Sequence, residues 1–149
     1  MRNWLIAMPS TNDIVFVDTN ILIYAHDRDA GPRRQRATQA LDNLWAARTG
    51  RMSVQVLQEF FAVATRKLKA SVEVAAAREV IRIYSPWVTA PTDVETILRA
   101  SEIAEFAQIS FWDGMIVAAA ERSGAATLYS EDLNDGQIIA GIRVVNPLI

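Results

Sequence analysis

Ile14-Val15-Phe16-Val17-Asp18-Thr19-Asn20-Ile21-Leu22-Ile23-Tyr24 joins two local signals without a spacer. Its first four residues are apolar and mostly β-branched, the pattern of a short buried strand. Asp18, Thr19 and Asn20 favour helix N-caps, and the apolar residues behind them open a helix. A buried strand that feeds straight into a helix is the unit of a parallel sheet, because parallel neighbours need a crossover between them.

The same alternation continues downstream. Residues 1–13, ending in Ser10-Thr11-Asn12-Asp13, read as a lead-in. After a turn over 27–32, Ala37, Ala40, Leu41, Leu44 and Trp45 mark one helical face, with Gly50 as its stop. Residues 52–54 suit a second strand, followed by a helix carrying Val56, Leu57, Phe60, Phe61 and Ala64. A further helix from Ser71 to about Ile83 ends at Pro86, and residues 87–89 suit a brief strand. Thr92 and Glu95 have the spacing of a capping box, for a helix burying Val94, Ile97, Leu98, Ser101 and Ala104. Ser110 caps the next helix, with Asp113 in its first turn and Ile116, Val117 and Ala120 inward, and Gly124 ends it. Strands follow at 126–129 and 142–145, closed by Asn146-Pro147. The expectation is one α/β domain over 1–149, three-layered, with a central, mostly parallel sheet between helices.

Composition narrows the chemistry. The chain has 149 residues, 51% hydrophobic and 21% charged, with a formal charge of −2; it is too apolar and too weakly charged for disorder. Without cysteine there are no disulfides, iron–sulfur clusters or cysteine zinc sites. His26 is the only histidine, so histidine-based nucleophilic or acid–base machinery would have to be built around it, and carboxylate chemistry is favoured. The apolar run Met115 to Ala120 is far short of the roughly 20 residues of a membrane span. Trp4 to Met8 is short of a signal-peptide core of about 7–15 residues, so a cytoplasmic protein is expected.

In a parallel sheet, ligands collect where strands end and helices begin. Asp18 follows the first strand, Asp132 follows the strand at 126–129, and Asp113 opens a helix. Glu59 lies in a helical run beside Phe60 and Phe61, where a buried unpaired carboxylate is costly. Capping and turn formation account equally well for Asp18, Asp113 and Asp132 taken singly; only the set of four argues for a site. Clustered carboxylates repel by about 4 kcal/mol per pair at ~4 Å and an effective dielectric near 20. A divalent cation reverses that sign, and an all-oxygen donor set favours Mg²⁺ or Mn²⁺ over zinc. Such ions polarise phosphodiesters and lower the pKa of bound water.

Val17-Asp18-Thr19-Asn20-Ile21-Leu22, Gln58-Glu59-Phe60, Phe111-Trp112-Asp113-Gly114-Met115-Ile116-Val117-Ala118-Ala119-Ala120 and Ser130-Glu131-Asp132-Leu133 together resemble the PIN-domain nucleases, and among them the ribonuclease toxins of VapBC toxin–antitoxin systems. The resemblance runs from about residue 14 to 149 with the acids in the family's order. It implies a PIN-like α/β/α fold and a Mg²⁺- or Mn²⁺-dependent endoribonuclease. Asp18, Glu59, Asp113 and Asp132 would then be its metal-binding, catalytic acids. It also implies an antitoxin partner and a homodimer. Glu131 and Asp135 rival Asp132 for the fourth position.

Thr19, Asn20, Ser130 and Asp135 are candidates to hydrogen-bond those acids, and capping or turn formation explains them as well. Arg33, Arg34 and Arg36 form the densest basic cluster and are candidates for RNA phosphates, against the alternative of a solvated helix face. Neutralising the four acids carries the formal charge from −2 to the positive side, so a pI near 5.4 is compatible with RNA binding. Trp4, Trp45, Trp87 and Trp112 read as core or interface residues rather than base-stacking platforms. The helices at 37–45 and 56–64 are candidate dimer or antitoxin surfaces. Two other functions compete: a non-catalytic interaction module, and phosphotransfer on Asp18. The second is disfavoured by Asn20 where a phosphatase has Asp, and by lysines only at Lys67 and Lys69.

Overall fold

β1 (Val15–Val17) is an interior strand of the sheet, bonded in parallel on both sides. Its register is Val15↔Gly50 against β2 (Gly50–Arg51), and Val15↔Thr127 through Val17↔Tyr129 against β3 (Thr127–Tyr129). All three β1 residues are buried, as a strand covered on both faces must be, which is why its sequence shows no polar alternation. In this computed structural model residues 13–149 are described; the lead-in, apart from Asp13, and Trp4 lie outside the described residues.

The sheet order is β2-β1-β3-β5-β4, where β5 (Ile142–Val145) pairs in parallel with β3 and β4 (Ile138–Ile139) runs antiparallel to β5. The helices are α1 (Thr19–His26), α2 (Pro32–Ala47), α3 (Val54–Arg66), α4 (Val74–Tyr84), α5 (Val94–Ala107) and α6 (Phe111–Arg122). The result is the expected mixed fold, a mostly parallel sheet flanked by helices. Its core runs through Phe16, Ile21, Leu22, Phe60, Val117, Leu128 and Val144. No single described helix is long and apolar enough to cross a membrane.

Several local expectations shift. Gly50 does not stop α2; Arg48 does, in the left-handed region at φ 62°, and Gly50 is already in β2. Gly50 is there because the Trp87 ring packs on it: a Cβ would lie 2.5 Å from ring carbons. The second strand is therefore Gly50–Arg51, and of residues 52–54 only Met52 joins the sheet, in a single bridge to Val88. The strand expected over 87–89 reduces to that bridge, behind a 3-10 turn at Ser85–Trp87. The capping box of α5 is one residue later than expected, with Asp93 accepting from the Thr96 amide (3.1 Å) and Thr96 Oγ1 accepting from the Asp93 amide (3.2 Å).

The buried face of α5 is Thr96, Ala100 and Ile103, while Val94, Ile97, Leu98 and Ser101 face solvent. The cause is the α5–α6 contact. At Gly114 a Cβ would stand 2.6 Å from the Ala100 carbonyl oxygen and 3.2 Å from Ala104 Cβ. Backbones that close admit only small side chains, so the bulky apolar stripe turns away.

Candidate active site

β1 and β3 are neighbours, and the chain leaves their carboxyl ends toward different elements, which opens a crevice there. Asp18 leaves β1 as the N-cap of α1 and accepts from the Thr19 amide at 2.7 Å. Ser130 leaves β3 fully buried, and its Oγ donates to Asp18 Oδ2 at 2.9 Å while accepting from the Asp132 amide at 3.2 Å. One hydroxyl thus ties the first and fourth acids together. Asp132 in turn accepts from Asn20 Nδ2 at 3.1 and 3.2 Å. Thr19 Oγ1 donates to Glu59 Oε1 at 2.7 Å, anchoring the acid from α3. Glu59 is exposed although its chain neighbour Phe60 is buried, the two side chains leaving α3 about 100° apart. Asp113 stands in the first turn of α6, whose N-cap Ser110 accepts from the Asp113 amide at 3.1 Å. Its carboxylate there gains from the helix dipole.

Asp18, Glu59, Asp113 and Asp132 line one cavity of roughly 150 Å³, together with Thr19, Asn20, Ile23, Gln55, Val63, Trp112 and Ile116. Burial, with the Asp132 and Glu59 charges adding, pushes the Asp18 carboxyl up to about 6 against the Thr19 and Ser130 hydrogen bonds. Asp132 is also raised, by burial first and then by the charges of Asp113, Glu131 and Glu59. Mutual repulsion that raises carboxyl pKa values is the electrostatic condition under which a divalent cation binds in place of protons. The donor chemistry suits a hard ion. Among the described residues, however, no group of three His, Cys, Asp or Glu side chains is already arranged as a coordination shell.

The rival acids go elsewhere. Glu131 accepts from the Tyr24 hydroxyl at 2.7 Å and pairs with Arg33 at 3.1 Å; the Glu131 hydrogen bond, with burial adding, pushes the Tyr24 hydroxyl up to about 12 against the nearby Arg33 charge. Asp135 accepts from the Asn146 amide at 2.8 Å and does not line the acidic cavity, so it is not a partner of the four acids. The arginines are not in the cavity either. Arg33 spends its charge on Glu131 and the Tyr24 ring (5.5 Å), and Arg36 donates to the Leu148 carbonyl at 2.8 Å. With Glu131 they border an adjoining cavity of about 470 Å³, next along the chain from Asp132. Arg34 is exposed; burial first, and then the Arg34 charge, lower the pKa of His26, whose ring packs edge-on to Phe60 (5.6 Å). Neither lysine lines the acidic cavity. Sequence reasoning passed over Gln55 and Tyr24. Gln55 was legible as the position one helical turn before Glu59.

In comparison with known proteins, no curated protein matches the chain. Its fold is similar to that of a chain in the crystal structure of VapBC2 from Rickettsia felis bound to a DNA fragment from their promoter. The TM-score is 0.56 and the identity 16%, over 88% of this chain and 96% of that chain. The PIN domain family matches residues 15–135, a stretch that holds all four carboxylates of the cavity and both strands that bring them together, and the chain therefore belongs to the PIN-domain family.

Proposed function

We propose that the protein is a divalent-metal-dependent endoribonuclease, hydrolysing RNA phosphodiesters to 5′-phosphate and 3′-hydroxyl ends. On this reading it is the toxin of a VapBC-type pair, one nuclease domain acting in the cytoplasm and held in check by a cognate antitoxin. The observation that carries this is the convergence of Asp18, Glu59, Asp113 and Asp132 on one cavity, with three of them oriented by short side-chain hydrogen bonds. Membership of the PIN family and the VapBC2-like fold support it.

The four carboxylates would hold the ion. Mg²⁺ or Mn²⁺, when bound, supplies charge neutralisation of the phosphodiester and acidification of water. The chain's own residues do the positioning. Ser130 fixes Asp18 relative to Asp132, Thr19 holds Glu59, and Asn20 holds Asp132 by its amide. In the cavity bordered by Glu131, the residue before Asp132, Arg33 is paired, whereas Arg36 is bonded only to a neutral carbonyl and keeps its positive charge for a strand leaving the site. Val94, Ile97 and Leu98, exposed on α5, offer an apolar surface for a second copy in a homodimer, in place of the helices at 37–45 and 56–64 whose apolar faces are largely spent on the core.

The deciding experiment is cleavage of end-labelled structured RNA with Mg²⁺ or Mn²⁺, with chelator, and with Asp113→Asn. Cleavage should require metal and fall in the variant by more than the ~10–100-fold that follows loss of an outer-sphere partner. Unchanged cleavage by a well-folded Asp113→Asn protein would remove the assignment.

A further inference from the structure

Trp112 is the one tryptophan among the described residues that is mostly exposed, at 65%, whereas Trp45 and Trp87 pack on each other (4.7 Å) and on Tyr84. What sets this indole apart from the other exposed apolar side chains is its place: it lines the same cavity as the four acids. Phe111 braces it edge-on, with ring centroids 5.2 Å apart, so that a broad aromatic surface stands at the mouth of the site. Gln55, one turn before Glu59 on α3, lines the same cavity, and its side-chain amide makes no hydrogen bond to any described residue. An aromatic face and a free amide lining one acidic cavity are the two elements that hold and read an unstacked base.

We infer that Trp112 and Gln55 form a nucleobase subsite, in which Trp112 stacks on a base flanking the scissile phosphate and Gln55 reads that base's hydrogen-bonding edge. The assignment rests on the nuclease reading of the acidic cavity and adds to it a base contact made by two named residues. A base within a duplex is already stacked on both faces, so the subsite selects loops and unpaired ends. The two residues also divide the labour: stacking accepts every base, whereas an amide discriminates between donor and acceptor patterns.

The test is binding of short mixed-sequence single-stranded oligoribonucleotides to the full-length protein, with Ca²⁺ in place of Mg²⁺ to keep the strand intact. It is followed by anisotropy of the labelled strand and by quenching of tryptophan fluorescence. Trp112→Ala should weaken binding about tenfold or more and abolish most of the quenching, while Trp112→Phe retains most of the affinity. Against a strand carrying an abasic nucleotide beside the cleavage position, wild type and Trp112→Ala should bind alike. Gln55→Leu should leave pooled affinity within about twofold and flatten the preference among bases. Wild-type affinity in folded Trp112→Ala, or equal affinity for the matching duplex, overturns the subsite. So does a change of molecular mass in that variant with binding per chain unaltered, which would make Trp112 an interface residue. Because binding is read apart from cleavage, the two readings fail separately. Trp112-dependent binding without turnover removes the nuclease, and cleavage indifferent to Trp112 removes the subsite.

Discussion

Asp18 shows at a single residue how a site is made at the expense of stability. Its carboxyl is buried and accepts two hydrogen bonds, yet burial outweighs them and its pKa rises from 3.8 to about 6. The unfolded chain releases that proton near 3.8 and the folded chain near 6, so folding is opposed increasingly as pH climbs through this window and fully above it. Asp18→Asn should therefore raise metal-free stability above pH ~6 by up to about 3 kcal/mol, and the gain should vanish toward pH ~4, as measured by urea unfolding. Asparagine still caps α1, and the Ser130 hydroxyl can turn to accept from the new amide. The same variant should lose cleavage. A destabilised Asp18→Asn protein at neutral pH would mean that the carboxylate is satisfied without a cation.

The elements differ in how far their own residues define them. β1 and α1 are local products: an apolar run, then a carboxylate that caps. α5 is not, because its apolar stripe satisfies the helical period equally well facing in or out. What chooses is α6, where Gly114 and Ala100 let the two backbones touch. Gly114→Ala should consequently cost about 1–3 kcal/mol by overpacking, and should lower activity too, since it displaces the turn bearing Asp113. Differential scanning calorimetry and the cleavage assay check the two effects; a neutral substitution would mean that α5 shifts freely on α6. β4 escaped sequence reading although it left a signal. Ile138-Ile139 and Ile142 flank Ala140-Gly141, both at positive φ (50° and 77°), the requirement of a tight two-residue hairpin turn. Alanine is an unusual residue there, and it concealed the turn.

For the whole molecule, the site is a property of the sheet's carboxyl edge, where residues 18, 59, 113 and 132 arrive from a strand end, two helices and a loop. A cation bound there stabilises the folded state in proportion to its affinity. Mg²⁺ or Mn²⁺ should raise the Tm of wild type at neutral pH, with a gain that shrinks as pH falls through ~6 and Asp18 takes a proton instead. A Tm indifferent to both metals at saturating concentration would count against a carboxylate metal centre. The sequence by itself determined the α/β alternation, the strand-to-helix joint at Asp18 and the order of the four acids, because periodicity and capping act over one or two turns. Tertiary structure alone decided that Asp135 and Glu131 stand outside the cavity, that Arg33 and Arg36 are engaged beside it, that the bulky face of α5 is outward, and that Trp112 is not core. Each of these depends on which backbones approach closely across the sheet and between helices, and local spacing holds no information about that approach.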